Sequence, residues 1–378
     1  MMELNICEAK YSDISAIGAQ VRQMQKESGE EYLYLNQGVN AVVPIDLTDI
    51  IPLIDFNSTE MQVYPPMKGR INLRRAIIKT YLQGAGDIDN LLITHGGMSG
   101  LDLVFQSLKM NKVWLPEFFW GSYAHILNLR HIEYGFYNNF DELLLENRVQ
   151  PQDGVIICDP NNPLGNKYDD RTVIKLIQHL DDKGVVVMVD SPYRGVFFTN
   201  DSFYKPIAAL PHVVIIESFS KSVGLSGQRI GFIHSANAEL MQQLEIRLMY
   251  CSNGVNAFSQ ILIENLLTTE QGAKAIKKFR DQTTMAIRLN INYLQDRQLL
   301  VEEFYTDAPP KGIFVVVNRS FDELLQHRIA SVGLEFFTRT QKERASQFAR
   351  ICVSVPHERF KEFFDRIEFV NDDLPRNA

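Results

Sequence analysis

The middle of the chain alternates short apolar runs with stretches in which apolar residues return every three or four positions. That alternation predicts a largely parallel sheet with helices on both faces. Leu91 to Thr94, Lys112 to Leu115, Gly154 to Cys158, Val185 to Val189 and Val213 to Ile216 are almost continuously apolar, as strands buried on both sides are. Each run gives way at once to polar, glycine, proline or aromatic residues: His95-Gly-Gly97, Pro116-Glu-Phe-Phe-Trp120, Asp159-Pro-Asn-Asn162, Asp190-Ser-Pro-Tyr193 and Ser218-Phe-Ser-Lys221. Ligands of open α/β sheets bind beyond the carboxyl ends of the strands, so these five segments are expected to converge on one crevice. From about Gln271 the pattern changes to one long amphipathic helix, about 274–299. Ile313 to Val317 and Ile351 to Val355 then read as strands and Glu358 to Phe369 as a closing helix, which together predict a smaller α+β unit.

At 378 residues with 45% hydrophobic side chains, the chain is long and apolar enough for one large domain with a smaller satellite. Its 38 basic and 46 acidic residues give a net charge of −8, which argues against a general nucleic-acid or anionic-membrane surface and makes basic residues local tools. Cys7, Cys158, Cys251 and Cys352 are far apart and form no CxxC pair, so the reading is of reduced, buried thiols and of no metal site. No basic leader precedes an apolar core at the N-terminus, and no apolar run approaches the ~20 residues that span a bilayer. A cytoplasmic enzyme is expected. No internal repeat or low-complexity tract interrupts the chain.

The most informative stretch is Glu217-Ser-Phe-Ser-Lys221-Ser-Val-Gly-Leu-Ser-Gly-Gln-Arg229-Ile-Gly231. It sets a lysine where a buried strand ends, with hydroxyls before it and an arginine eight residues after it. A deprotonated lysine amine forms a Schiff base with a carbonyl. Pyridoxal phosphate (PLP) offers that carbonyl together with a dianion for Ser218, Ser220 and Arg229. The stretch resembles the cofactor-lysine motif of the class I/II aminotransferases, the fold type I PLP enzymes, and further segments resemble that family in the same order, from about residue 32 to 360.

Asp190-Ser-Pro-Tyr193 is similar to the family's Asp-x-x-Tyr element, which implies that Asp190 pairs with the protonated ring nitrogen and Tyr193 with the phenolic oxygen. Asp159-Pro-Asn-Asn162-Pro-Leu-Gly165 resembles the family's Asn-Pro-x-Asn-Pro-Thr-Gly and offers Asn162 to the same oxygen; Asp159 and Leu164 depart from the family's Asn and Thr. A glycine-rich turn entering a helix near Ser99 presents backbone N–H groups to an anion, and the resemblance makes Gly97 and Met98 phosphate donors. Pro116-Glu-Phe-Phe-Trp120 implies that Trp120 stacks on the cofactor ring. Tyr64, in a Tyr-x4-Gly-x3-Leu-Arg spacing, implies a tyrosine that reaches the phosphate of a neighbouring subunit, hence a homodimer with shared sites. Arg350 is similar to the family arginine that pairs with the substrate α-carboxylate, and Gly38 lies in a segment set against that carboxylate, with Asn162 beside it.

The resemblance implies an α/β fold of two parts: a large domain over 41–272 with a mostly parallel central sheet, and a small α+β domain from 1–40 and 273–378. It implies an aminotransferase that moves an amino group from an L-amino acid to a 2-oxo acid by a ping-pong route, with Lys221 as anchor and proton carrier. Other fold type I reactions, such as β- or γ-elimination, decarboxylation or oxidation, use the same residues and stay open, as does a non-catalytic PLP-binding module. Tyr34, Phe118 and Phe119 are candidates for an apolar side-chain pocket, whereas Arg247 favours an acidic substrate.

Overall fold

The computed structural model describes residues 2, 9–198 and 202–367. Its centre is a seven-stranded sheet of β1 (Leu91–Thr94), β2 (Val113–Pro116), β3 (Tyr134–Tyr137), β4 (Gly154–Ile157), β5 (Val186–Asp190), β6 (Val213–Ser218) and β7 (Gly231–His234). The spatial order is β1-β7-β6-β5-β4-β2-β3, parallel throughout except at β7, which runs antiparallel to both of its neighbours.

Alternation along each strand sorts the core into two layers. Leu91, Ile93, Val155, Ile157, Val187 and Val189 face one layer of helices, which includes α2 (Ile71–Thr80) and α5 (Asp170–Asp182). Leu92, Val113, Leu115, Ile156, Met188 and Val214 face the other, with α3 (Gly97–Ser107), α4 (Ser122–Leu129) and α8 (Ala238–Ser252). Two short helices lie at strand ends: α6 (Arg194–Phe197) after β5 and α7 (Phe219–Ser222) after β6.

The five expected strands are present with shifts of one or two residues. β3 and β7 are additional. β3 reads Tyr-Gly-Phe-Tyr, an edge strand with three half-buried residues and no aliphatic run. β7 follows so closely on Arg229 that its four residues merge with the preceding motif in the sequence.

The long helix α9 spans Glu270–Asp296, four residues earlier than its apolar periodicity suggests, because the Thr269 hydroxyl accepts the Gly272 N–H at 3.0 Å and caps it there. Beyond it, β8 (Phe314–Val317), β9 (Val332–Gly333) and β10 (Ala349–Cys352) form an antiparallel sheet in the order β9-β10-β8. β10 starts two residues before the expected strand and stops at Cys352, where the next N–H, that of Val353, donates to Ile313 O. One face of this sheet buries Val315, Val317 and Ile351 against α9 and α10 (His357–Phe364). The other buries Val316 and Val332 against α1 (Asp13–Ser28). Leu33–Tyr34 pairs in parallel with Ile329–Ala330, which ties the N-terminal segment to this sheet.

Cys158 and Cys352 are buried free thiols, but Cys251 is exposed at the end of α8, against the expectation of burial. Cys7 and the end of the predicted closing helix lie outside the described residues. No helix among the described residues is long and apolar enough to cross a membrane.

Candidate active site

At the carboxyl ends of β4, β5 and β6 a cavity of about 400 Å3 opens between the central sheet and the sheet of β8 to β10. The backbone brings Lys221, Asp190, Tyr193, Asn162, Trp120 and Arg350 to its wall, and with them Gly38, Gly97, Met98, Ser218, Ser220 and Arg229. Tyr64 is the expected site residue that this chain does not bring there: it is 81% exposed and lines a separate hollow with Pro65, Arg70 and Ile71.

Lys221 is on α7, whose N-cap Ser218 accepts the Ser220 N–H at 3.2 Å. That cap turns the chain sharply off β6 and sets the lysine over the strand end. Among the described residues its amine makes no hydrogen bond or ion pair. Burial lowers its pKa, and the cations of Arg229 and Arg350 lower it further. The amine is thereby biased toward the neutral, nucleophilic form.

The Asp190 carboxyl is buried at the end of β5. Burial raises its pKa to about 6, opposed by a hydrogen bond from the Tyr123 hydroxyl at 2.5 Å. No lysine or arginine among the described residues forms an ion pair with it. A buried carboxylate without a cation is costly, so this wall of the cavity favours a positively charged ligand atom. Asn162 Nδ2 donates to the Tyr193 hydroxyl at 3.0 Å, while Asn162 Oδ1 is buried without a partner. Trp120 stands edge-on to Tyr123, with ring centroids 5.4 Å apart.

At one end of the cavity is an anion cradle. Gly96, at φ +84°, caps α3, and a side chain there would meet Arg229 Nη2 at 3.0 Å. The turn therefore lets a guanidinium lie against the start of a helix. α3 begins at Gly97, two residues before the expected start, so Gly97 and Met98 belong to its first turn, whose N–H groups have no intrahelical acceptor. Arg229 Nη1 donates to Ser226 O at 2.8 Å and to Ser220 Oγ at 3.4 Å, and Ser218 Oγ donates to Ser220 Oγ at 2.9 Å. The donors converge as a phosphate requires.

At the other end Arg350 is fully buried on β10, its guanidinium 4.2 Å from the centre of the Phe314 ring. Nη2 donates to Asn36 O at 2.5 Å, whereas Nε and Nη1 have no hydrogen-bond partner among the described residues. Burial pulls its pKa down to about 10. Two unpartnered donors on a buried guanidinium match the two oxygens of a carboxylate. Gly38 fits here because a Cβ would stand 2.3 Å from the Phe314 ring that supports Arg350.

The family model for aminotransferase class I and II matches residues 39–367. The chain belongs to the class I and II aminotransferases. It is 24% identical to an aspartate aminotransferase of Pyrococcus horikoshii over 81% of this chain and 82% of that one. It is also 24% identical to a histidinol-phosphate aminotransferase of Parabacteroides distasonis over 78% and 83%. The solved aspartate aminotransferase from Thermus thermophilus with maleate shares the fold, with a TM-score of 0.80 over 95% of this chain and 96% of that one at 16% identity. As a class I and II aminotransferase the protein is a PLP-dependent enzyme acting on amino acids and 2-oxo acids.

Other residues of this aminotransferase are placed differently from expectation. Phe118 and Phe119 do not line the cavity: Phe118 is edge-on to Phe304 and Phe119 stacks on Phe136, each inside a core cluster. Tyr34 donates its hydroxyl to Gln25 Oε1 at 2.9 Å. Arg247 bridges α8 to α3, donating to Gln106 O and Gln243 Oε1, and does not line this chain's cavity. His95 pairs with Ser252 Oγ at 2.9 Å.

The sequence reading overlooked Tyr123, although its place three residues after Trp120, on the entering turn of α4, was a usable signal. It also missed Ser12, Ser15 and Gln37, which line the mouth from the N-terminal segment and carry no local motif.

Proposed function

We propose that Lys221 anchors PLP and carries a proton during transamination between an L-amino acid and a 2-oxo acid by a ping-pong route. When bound, PLP supplies a carbonyl for the substrate amine and an electron-poor ring that stabilises negative charge at Cα. The Lys221 amine would hold PLP at its carbonyl and, in its neutral form, would take the proton from the substrate Cα. Asp190 faces the ring nitrogen and stabilises its proton. Asn162 and Tyr193 hold the phenolic oxygen, and Trp120 covers one ring face. Ser218, Ser220, Arg229 and the N–H groups of Gly97 and Met98 hold the phosphate. Arg350, with Gly38 and Asn162 beside it, would bind the α-carboxylate and so orient the substrate Cα toward Lys221.

The unpartnered Nε and Nη1 of Arg350 carry this reading, because they call for a carboxylate beside Lys221. Arg350→Met keeps the volume and removes a buried charge. It is expected to lower kcat/KM for amino acids by about 100-fold or more and to spare a primary amine that lacks the carboxylate. Equal losses for both substrates would remove Arg350 from the binding role.

We also propose a homodimer with shared sites. Its support is the 81% exposure of Tyr64 in a segment whose Val63 and Ile71 are exposed at 54% and 47%. Mixing Lys221→Ala chains with Tyr64→Ala chains should restore activity, since one of the two sites in a hybrid dimer then has both residues. Strictly additive activity would sink the sharing. The division into 41–272 and 1–40 with 273–378 is proposed on the two separate sheets, β1 to β7 in the one part and β8 to β10 in the other; proteolysis that cuts elsewhere first would contradict it. A cytoplasmic location is proposed on the three free thiols among the described residues, which suit a reducing compartment, and cell fractionation tests it.

A further inference from the structure

Asp159 is a carboxylate where the family segment has asparagine, and it is 2% exposed. Burial raises its pKa, and Lys167 opposes that rise. Its compensation is specific. The Tyr168 N–H donates to Oδ1 at 2.9 Å, Lys167 Nζ stands 2.7 Å from Oδ2, and Arg194 Nη1 stands 3.7 Å from the same oxygen. Both cations continue to a second carboxylate, with Asp170 at 2.6 Å from Lys167 Nζ and 2.7 Å from Arg194 Nη2. Two anions and two cations thus alternate around a closed ring, with Lys167 and Arg194 only 6% and 1% exposed. The Arg194 guanidinium also lies 3.9 Å from the centre of the Phe203 ring, which fixes its plane.

The ring joins the two segments that meet at one hydrogen bond of the site. Asp159 is three residues before Asn162 in the loop leaving β4, and Arg194 directly follows Tyr193 at the start of α6. Lys167 precedes α5 and Asp170 begins it, so the loop is also fastened to a long helix. None of the four residues lines the cavity. The chain links them to the site through Asn162 and Tyr193.

We propose that the ring of Asp159, Lys167, Arg194 and Asp170 is a positioning device that sets the Asn162–Tyr193 hydrogen bond, and with it the approach of both groups to the phenolic oxygen of PLP. The proposal rests on the reading that these two side chains hold that oxygen. A network of alternating charges with three of its four members buried, Asp170 being 38% exposed, is stiff, and small errors in the shell behind a site are enough to spoil it. Loss of the ring therefore changes the electronics of the bound cofactor before it unfolds the protein.

The test is the pH titration of the visible absorbance of the PLP-loaded protein. It is made on wild type, on Asp159→Asn, and on Asp159→Asn with Lys167→Met, each also in a Tyr193→Phe background. The double variant removes one anion and one cation together, which buried pairs tolerate better than loss of one partner, so it melts close to wild type. Its titration midpoint is expected to move by about 0.5 pH unit or more. In the Tyr193→Phe background the same change should move the midpoint hardly at all, because coupled groups are not additive. An equal shift in both backgrounds would mean a direct field effect, and a lower melting temperature with an unmoved midpoint would mean a mere staple; either overturns the proposal. No visible band in the wild type would instead sink the Lys221 reading, and this one with it.

Discussion

Lys221→Ala is expected to cut turnover by about 10^4-fold or more, since it removes the anchoring amine and the proton carrier together. The fold should not suffer. The amine makes no hydrogen bond or ion pair among the described residues, and burial lowers its pKa below the usual lysine value. A lysine whose folded pKa lies below its unfolded one weakens the fold at every pH where the unfolded chain keeps the proton, neutral pH included. Removing it leaves thermal stability at pH 7 equal or slightly higher. The phosphate cradle of Ser218, Ser220 and Arg229 is intact in the variant, so PLP still binds, but without a covalent link. After borohydride reduction the wild-type chain carries the added mass of the cofactor and the variant does not. Turnover within tenfold of wild type would show that another group moves the proton.

The contrast between what could and could not be read in the sequence has a physical basis. Strands buried on both faces are near-continuous apolar runs, so β1 and β6 were legible and their ends marked the crevice. β3 was not, because an edge strand needs no aliphatic run, and Tyr134 to Tyr137 carries none. Site residues held by short local geometry could be placed by spacing: Lys221 by its capped turn, Asn162 and Tyr193 by strand-end loops. Residues defined by contacts distant in sequence could not. Spacing from Trp120 can bring Tyr123 near the site, but it does not announce that its hydroxyl meets Asp190, 67 residues on. Phe118 and Phe119 looked like pocket walls because they are aromatic and near Trp120, yet packing turned both into the core. The departure at Asp159 was visible in the sequence, but its compensation by Lys167 and Arg194 exists only in three dimensions.

Asp190→Asn should separate stability from activity in the opposite sense to an ordinary core substitution. The carboxyl is buried and its pKa stands raised to about 6 from the usual 3.8. An acid with a raised folded pKa costs stability as pH climbs from the unfolded value through the folded one, so the apoprotein loses about 3 kcal/mol in all by this group as pH rises from well below 4 to well above 6. Asparagine has nearly the same shape and cannot ionise, so the variant escapes that loss and its apoprotein melts at or above the wild-type temperature at pH 7. Turnover nevertheless falls by roughly 100- to 1000-fold, the scale of losing one preorganised electrostatic partner, because an amide does not stabilise a proton on the ring nitrogen. Tyr123→Phe supplies the graded case. Without the hydroxyl hydrogen bond that lowers the Asp190 pKa, the carboxylate forms at higher pH, and the acid limb of the apoprotein stability profile moves upward. Asp190→Asn with turnover within threefold of wild type would take Asp190 out of the catalytic set. A Tyr123→Phe profile that superimposes on wild type would show that the short hydrogen bond does not govern the carboxyl's ionisation.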